Sequence, residues 1–289
     1  MISLIICSRK TEVNSELLDN IRQTIGVDYE LILIDNSENK YSIFEAYNIG
    51  VAKASFPFLC FMHDDIIYHT NNWGVRVVKY FDIEQIGAIG IAGSPYAPFL
   101  PGSWWGSGLV NQYLLPVDST EASVTTTDKA SLSNEVVTLD GVWMCIRKSL
   151  FGQIRFDEEC YKGFHFYDVD ICLQINRAGY KLFSVFDILI RHYSNGTLNL
   201  NWCDNALICH NKWKAVLPLF CAPISYTQQC EAELKTLKEY SYNLIYNHYP
   251  KRRAHRIALK NLLQFRKGFF CYQTHIYFFK YCVRFVFNL

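Results

Sequence analysis

LILIDNSENKYSIFEAYNIGVAKASFPFLCFMHDDI, residues 31–66, contains two uninterrupted apolar runs with a stretch of helical length between them. Residues 31–34 and 58–62 are too short for helices, and polar or turn residues bound each of them. That is the pattern of a strand buried on both faces. Between them, residues 42–53 bring Ile43, Ala46, Tyr47 and Gly50 onto one helical face. Strand, helix and strand in succession make the crossover unit of a parallel sheet.

The same rhythm extends both ways. Residues 2–6 and 86–91 are further apolar runs, and residues 14–25 place Leu17, Leu18, Ile21 and Ile25 at helical spacing with Asn14 or Ser15 as a cap. Residues 72–81 repeat the helical theme with Val75, Val78, Tyr80 and Phe81. These elements predict an α/β fold, a mostly parallel sheet flanked by helices.

Residues 93–134 break the rhythm with Pro95, Pro98, Pro101, the pair Trp104 and Trp105 and a Ser/Thr-rich stretch, and they read as a long functional loop. The core resumes with a strand over 136–146, a helix over 168–178 ended by Gly179, and one or two strands over 181–191. We expect a core domain of residues 1–222, in halves of about 1–92 and 93–222, followed by a helical extension over 223–289.

Half of the 289 residues are apolar and the formal net charge is +1, so the whole-chain balance gives no argument for nucleic-acid binding. The charge is unevenly spread. Residues 230–289 hold eleven Lys and Arg against three Glu. The 11 cysteines are scattered without C-x-x-C pairs, which suits reduced, buried thiols, and the chain opens on a strand-like run rather than a signal peptide. The expectation is a cytoplasmic protein. Lys280 and Arg284 interrupt the aromatic tail, so a membrane span is not expected there.

In open parallel sheets ligands bind beyond the carboxyl ends of the strands. The first strand delivers Cys7, Ser8 and Arg9 to that edge, the second Asp35 and Asn36, and the third His63, Asp64 and Asp65. Asp and Asn after a strand are also ordinary turn formers. Adjacent carboxylates after an apolar strand repel unless a cation or ligand compensates them, so residues 63–65 read either as a divalent-metal site on a diphosphate or as a solvated turn.

In order and spacing, residues 31–66 resemble the donor half of the family-2 type glycosyltransferases with the GT-A fold, with a strand ending in Asp35, an Asn-x-Gly helix at Asn48 to Gly50 and a D-x-D-like end. LDGVWMCIRKSLF (139–151), FDEECYKGFHFYDVDICLQINRAGYKLFSV (156–185) and IRHYSNG (190–196) are similar to the acceptor half. The likeness extends over about residues 2–196 and points to bacterial enzymes of polysaccharide and glycolipid synthesis.

The resemblance implies a nucleoside diphosphate sugar donor, a UDP-sugar first, and Mn2+ or Mg2+. It places Cys7, Asp35 and Asn36 around the base and ribose, with Asn48 close by, and Ser8 at the end of the first strand is expected among the donor-binding residues. Asp65 takes the metal-binding end of the D-x-D-like motif, His192 completes the metal site, and Asp64 meets donor sugar hydroxyls. His63 stands where the family has its first Asp, and Tyr167 where it has the Glu of a Glu-Asp pair. Asp168 then becomes the catalytic base for an inverting transfer.

Asp168 and Asp170 also suit the first turn of a helix, where carboxylates satisfy free amides, and residues two apart face different sides. Asp170, Trp104 and Trp105 are assigned to the acceptor, the tryptophans either stacking on a sugar or pinning the loop. The expected acceptor is a carbohydrate or lipid-linked glycan. A nucleotidyltransferase would show a glycine-rich loop, which residues 5–10 lack; a non-catalytic sugar-nucleotide or glycan-binding relative is the other alternative, raised by His63 and Tyr167. The basic, aromatic residues 251–289 read either as an interfacial helix on anionic lipid or as a packed subdomain or homo-oligomer contact.

Overall fold

The apolar runs become the central strands of an α/β sheet in the computed structural model, which describes residues 1–116, 119–126, 130–194 and 196–268. The chain forms two compact units. One comprises Met1–Pro95 and Val110–Gly196; the other comprises Tyr96–Leu109 and the described part of Thr197–Leu289.

The first unit begins with β1 (Ile2–Ser8), α1 (Ser15–Thr24), β2 (Tyr29–Asp35), α2 (Ile43–Lys53), β3 (Phe58–Met62), β4 (Ile66–Tyr68), α3 (Trp73–Phe81), β5 (Ile86–Gly90) and β6 (Ala92–Ser94). After β7 (Tyr96–Ala97), which belongs to the second unit, it continues with β8 (Asn111–Leu114), β9 (Ser123–Thr125), β10 (Ser133–Val136), β11 (Thr138–Leu139) and β12 (Trp143–Arg147). It closes with α4 (Tyr167–Arg177), β13 (Lys181–Val185) and β14 (Ile190–His192).

The main sheet has the order β10-β13-β5-β12-β3-β1-β2. β1 is parallel to β2 and β3, and β13 is parallel to β5, while β12 runs antiparallel to both β3 and β5, and β10 antiparallel to β13. Five strands therefore point one way and two reverse. Because Trp143 at the start of β12 pairs with Met62 at the end of β3, the turn before β12 lies on the same edge as residues 63–65.

Local chemistry sets the elements. Asn14 caps α1 by accepting from the Glu16 amide, and Leu17 and Ile21 turn inward. Ser42 and Glu45 close a capping box on α2. Gly50 lets α2 lie directly on β1, since a Cβ there would come 2.4 Å from Ile5 Cγ2. Beneath the sheet edge, Trp143 donates to the Tyr68 hydroxyl at 2.9 Å, and that hydroxyl points to the Met62 sulfur at 3.3 Å. Each buried aliphatic side chain here contributes about 1.5–3 kcal/mol, so β3 and β4 present residues 63–65 from a stiff base.

Two expectations need correction. Residues 136–146 are not one strand: β11 pairs with β6 in a second sheet of order β11-β6-β8-β9, and the Asp140–Gly141 turn redirects the chain into β12. Nor are residues 93–134 a structureless loop, because β8 and β9 pair within it. Their sequences, NQYL and SVT, are too short and too polar to show a strand's alternation.

In the second unit, α5 (Leu200–Trp213), α6 (Tyr226–Tyr246) and α7 (Lys251–Gly268) accompany a short pair of β7 with β15 (Leu219–Phe220). Glu233 is fully buried there and accepts from the Tyr96 hydroxyl at 2.7 Å and from the amides of Phe99 and Leu100 at 2.6 and 3.0 Å. These bonds tie residues 96–100 to the helices, so the chain enters this unit twice, which a linear division at residue 222 does not express. No helix among the described residues is long and apolar enough to cross a membrane. The tail beyond residue 268, with Lys280 and Arg284, lies outside the described residues.

Candidate active site

Three strand ends meet at one edge of the first unit. Ser8 and Asp35 are register neighbours on β1 and β2, and the Asn36 amide donates to the Ser8 carbonyl at 2.8 Å. The Ser8 hydroxyl donates to an Asp64 carboxylate oxygen, which joins the end of β1 to the turn after β3. The His63 amide bonds the Val142 carbonyl at 3.0 Å, joining that turn to the entry of β12.

The register of a two-stranded ladder brings in His192. β14 runs antiparallel to β4 with His192 opposite Ile66, next to Asp65, and the Tyr193 amide bonds the Asp65 carbonyl at 3.0 Å. His192 Nε2 lies 3.4 Å from Asp65 Oδ1 and 3.3 Å from His63 Nδ1, and His63 Nδ1 is 3.8 Å from the same Asp65 oxygen. One ligand atom from each of the three residues falls within 4.8 Å of the others.

An ion bound at about 2.1 Å by imidazole and carboxylate separates its ligand atoms by about 3.0–3.5 Å, so this half-buried triangle fits a divalent metal. Burial opposes ionisation of Asp65, but hydrogen bonds from His192 and Ser194 and the adjacent imidazoles outweigh it and hold the carboxyl down at about 2. Burial, then the His192 ring, lowers the pKa of His63, which favours the neutral, metal-binding imidazole.

α4 carries the next group. Asp168 lies in its first turn, half-buried, with Oδ2 accepting from the Gly141 amide at 3.2 Å and Oδ1 from the Val169 amide at 2.8 Å. Burial, and then the negative charge of Asp140, push its pKa up to about 7, while the amide bonds pull the other way. Tyr167, one residue earlier, crosses over Gly141: a Cβ at 141 would sit 2.1 Å from the Tyr167 hydroxyl oxygen. That oxygen is 3.3 Å from His63 Nε2, and the Tyr167 ring packs edge to face against Tyr47 at 5.4 Å.

The other expected residues divide. Cys7 touches Asn36 and is largely buried, which pushes its thiol up to about 11, so it lines the edge as a neutral group. Asp35 is exposed and accepts from the Ser37 amide, while Asn36 braces its own loop through both the amide and the carbonyl of Tyr41. Asn48 is turned to the segment before α4, bonding Phe156 and Glu158, and supports the fold there.

Asp170 differs from expectation. It is 1% exposed and accepts from the Tyr161 hydroxyl at 3.0 Å and the Gln174 amide at 2.7 Å, so its carboxylate is engaged inside the core rather than offered to an acceptor. Trp104 and Trp105 belong to the second unit, where their rings meet edge to face at 5.4 Å. Trp104 is buried and Trp105 is 37% exposed.

Sequence reasoning passed over three participants: Asp140, whose charge acts on Asp168 and His63; Gly141, which accommodates Tyr167; and Ser194, beside His192 at 3.3 Å. An Asp-Gly turn just ahead of an apolar strand was the available signal for the first two. It becomes meaningful once β12 is known to run antiparallel.

Residues 3–212 match the profile of a glycosyltransferase-like family. The fold is similar to that of the mannosyltransferase PcManGT from Pyrobaculum calidifontis in complex with GDP-Man and Mn2+, at 13% identity over 99% of this chain and 87% of that one, with a TM-score of 0.51. It is also similar to GalNAc-T7 with UDP, GalNAc and Mn2+, at 14% identity and a TM-score of 0.50. That alignment covers 86% of this chain and 58% of the GalNAc-T7 chain. A search of curated proteins finds no significant match. At such identities these structures establish the fold alone.

Proposed function

Because the chain belongs to the glycosyltransferase-like family, we propose that it transfers a sugar from a nucleoside diphosphate sugar to a carbohydrate or glycolipid acceptor, with inversion and with a divalent cation. The observation that supports this reading is the convergence on one sheet edge of a His/Asp metal triangle, the Ser8–Asp64 pair and the raised carboxyl of Asp168. The similar structures hold GDP-Man or UDP with Mn2+, and a UDP-sugar with Mn2+ is the first donor to test.

Asp65 and His192 would hold the Mn2+ or Mg2+, whose charge would stabilise the departing diphosphate. Ser8 fixes Asp64 toward the end of β1, where it can accept from donor sugar hydroxyls, and Cys7, Asp35 and Asn36 border the nucleoside. As the acceptor oxygen bonds to the anomeric carbon, the bond from that carbon to the diphosphate oxygen breaks and the hydroxyl proton passes to Asp168. A base with a pKa of about 7 is matched to this task at neutral pH.

A lipid-linked acceptor is supported by α7. Arg252, Arg256 and Lys260 share its exposed face with Leu259 and Leu263, which are 54% and 45% exposed, a composition suited to an anionic membrane surface. Liposome flotation of the full chain and of a variant carrying Arg252→Glu, Arg256→Glu and Lys260→Glu tests this contact; equal partitioning would remove it.

The decisive experiment combines turnover with donor binding. Asp168→Asn should lose about 10²–10⁴-fold in transfer rate while still being stabilised by the donor with Mn2+ in thermal unfolding. Ordinary turnover by this variant would refute the base assignment.

A further inference from the structure

Outside the residues assigned above, the strongest unexplained arrangement is the chain of contacts behind His63. Its Nδ1 points into the triangle with His192 and Asp65, and its Nε2 lies 3.3 Å from the Tyr167 hydroxyl. Tyr167 is 4% exposed and packs against Tyr47, which is 1% exposed. Tyr47, Phe164 and Phe44 ring Tyr167 at centroid distances of 5.4, 5.7 and 6.4 Å, and its hydroxyl fills the space that the missing Cβ of Gly141 leaves.

We propose that His63 is the third protein ligand of the metal site, binding through Nδ1, and that Tyr167 is the positioning residue that fixes this ring. The inference rests on the metal assignment to Asp65 and His192. A neutral imidazole that ligates through Nδ1 must carry its proton on Nε2, and a hydroxyl acceptor at that position selects this tautomer. The Tyr167 hydroxyl can accept from Nε2–H, and the packed Tyr47 ring holds the phenol in that position.

A site of two imidazole nitrogens and one carboxylate oxygen has a chemical consequence. Mg2+ prefers oxygen ligands and retains its waters, whereas Co2+ and Zn2+ bind imidazole readily and Mn2+ tolerates it better than Mg2+ does. An imidazole at position 63 thus tunes the site toward transition ions such as Co2+ and Zn2+ and against Mg2+. The two residues that depart from the family pattern, His63 and Tyr167, meet in one contact of 3.3 Å.

The test uses the full chain without donor, titrated with Co2+ and followed by visible absorption, with nitrogen couplings read by electron spin-echo spectroscopy of bound Mn2+. The wild type should show two nitrogen ligands, and a large excess of Mg2+ should fail to displace Co2+. His63→Ala and the shape-preserving His63→Asn should show one nitrogen and weaker Co2+ binding. Tyr167→Phe should keep two nitrogens but lose about tenfold in Co2+ affinity, the usual scale for a partner behind a ligand.

Unchanged nitrogen count and affinity in both His63 variants, with binding lost in His192→Ala, would overturn this inference and leave the Asp65–His192 assignment standing. Absence of bound metal in the wild type, or binding unaffected by His192→Ala, would overturn both.

Discussion

His63 Nε2 lies 3.3 Å from the hydroxyl of Tyr167, and that hydroxyl occupies the space a side chain at Gly141 would need. One contact therefore joins the end of β3, the start of α4 and the turn before β12. It couples the His63–Asp65–His192 triangle to the helix that carries Asp168.

The transfer rate should rise with pH through about 7 and level off above it, because Asp168 accepts a proton only when ionised and burial holds its pKa near that value. A profile of kcat against pH checks this. A rate already level at pH 5 would show that another group, or none, limits the reaction.

The same shift has a stability counterpart of opposite sense. A carboxyl whose pKa is raised on folding binds more protons folded than unfolded between its ordinary value and about 7. Stability should therefore fall as pH rises across that window, for Asp168 and for buried Glu233 alike. Asp168→Asn should flatten part of this slope and be more stable than the wild type above pH 7, which denaturant unfolding at several pH values would reveal.

Gly141→Ala should be damaging out of proportion to its size. Its Cβ would sit 2.1 Å from the Tyr167 oxygen and 2.4 Å from the ring carbon that bears it, so the ring must move. Overpacking of this kind costs about 1–3 kcal/mol. The variant should also bind Co2+ more weakly, whereas Gly152→Ala, with nothing near its Cβ position, should leave binding unchanged.

Glu233→Gln should destabilise the helical unit by about 1–3 kcal/mol, because three donors converge on the carboxylate and an amide group would oppose one of them. Tyr96→Phe removes one donor and leaves the carboxylate two amide partners, so it should cost less. Urea midpoints of the two variants provide the comparison.

The sheet was legible because residues 58–62 can be buried on both faces and little else, and residues 42–53 carry both a helical face and their own capping box. Residues 31–34 read as doubly buried too, but they belong to the edge strand β2, where Ile32 and Ile34 are buried and Leu31 and Leu33 only partly so. β8 and β9 were not legible, since short polar strands leave no alternation to read. Asp168 could be singled out from Asp170 as the outward carboxylate by helical geometry, although the sequence also allowed Asp170 an acceptor role that its bonds to Tyr161 and Gln174 exclude.

By itself the sequence determined that three strand ends would bring Ser8, Asp35 and residues 63–65 to one edge, because parallel strands joined by helices must finish on the same side. Only the tertiary structure decided which of those groups act together. Antiparallel β12 carries Asp140 and Gly141 to that edge, and the β4–β14 register sets His192 beside Asp65. Pairing direction and register depend on partners far apart in the chain, and no local pattern of residues encodes them.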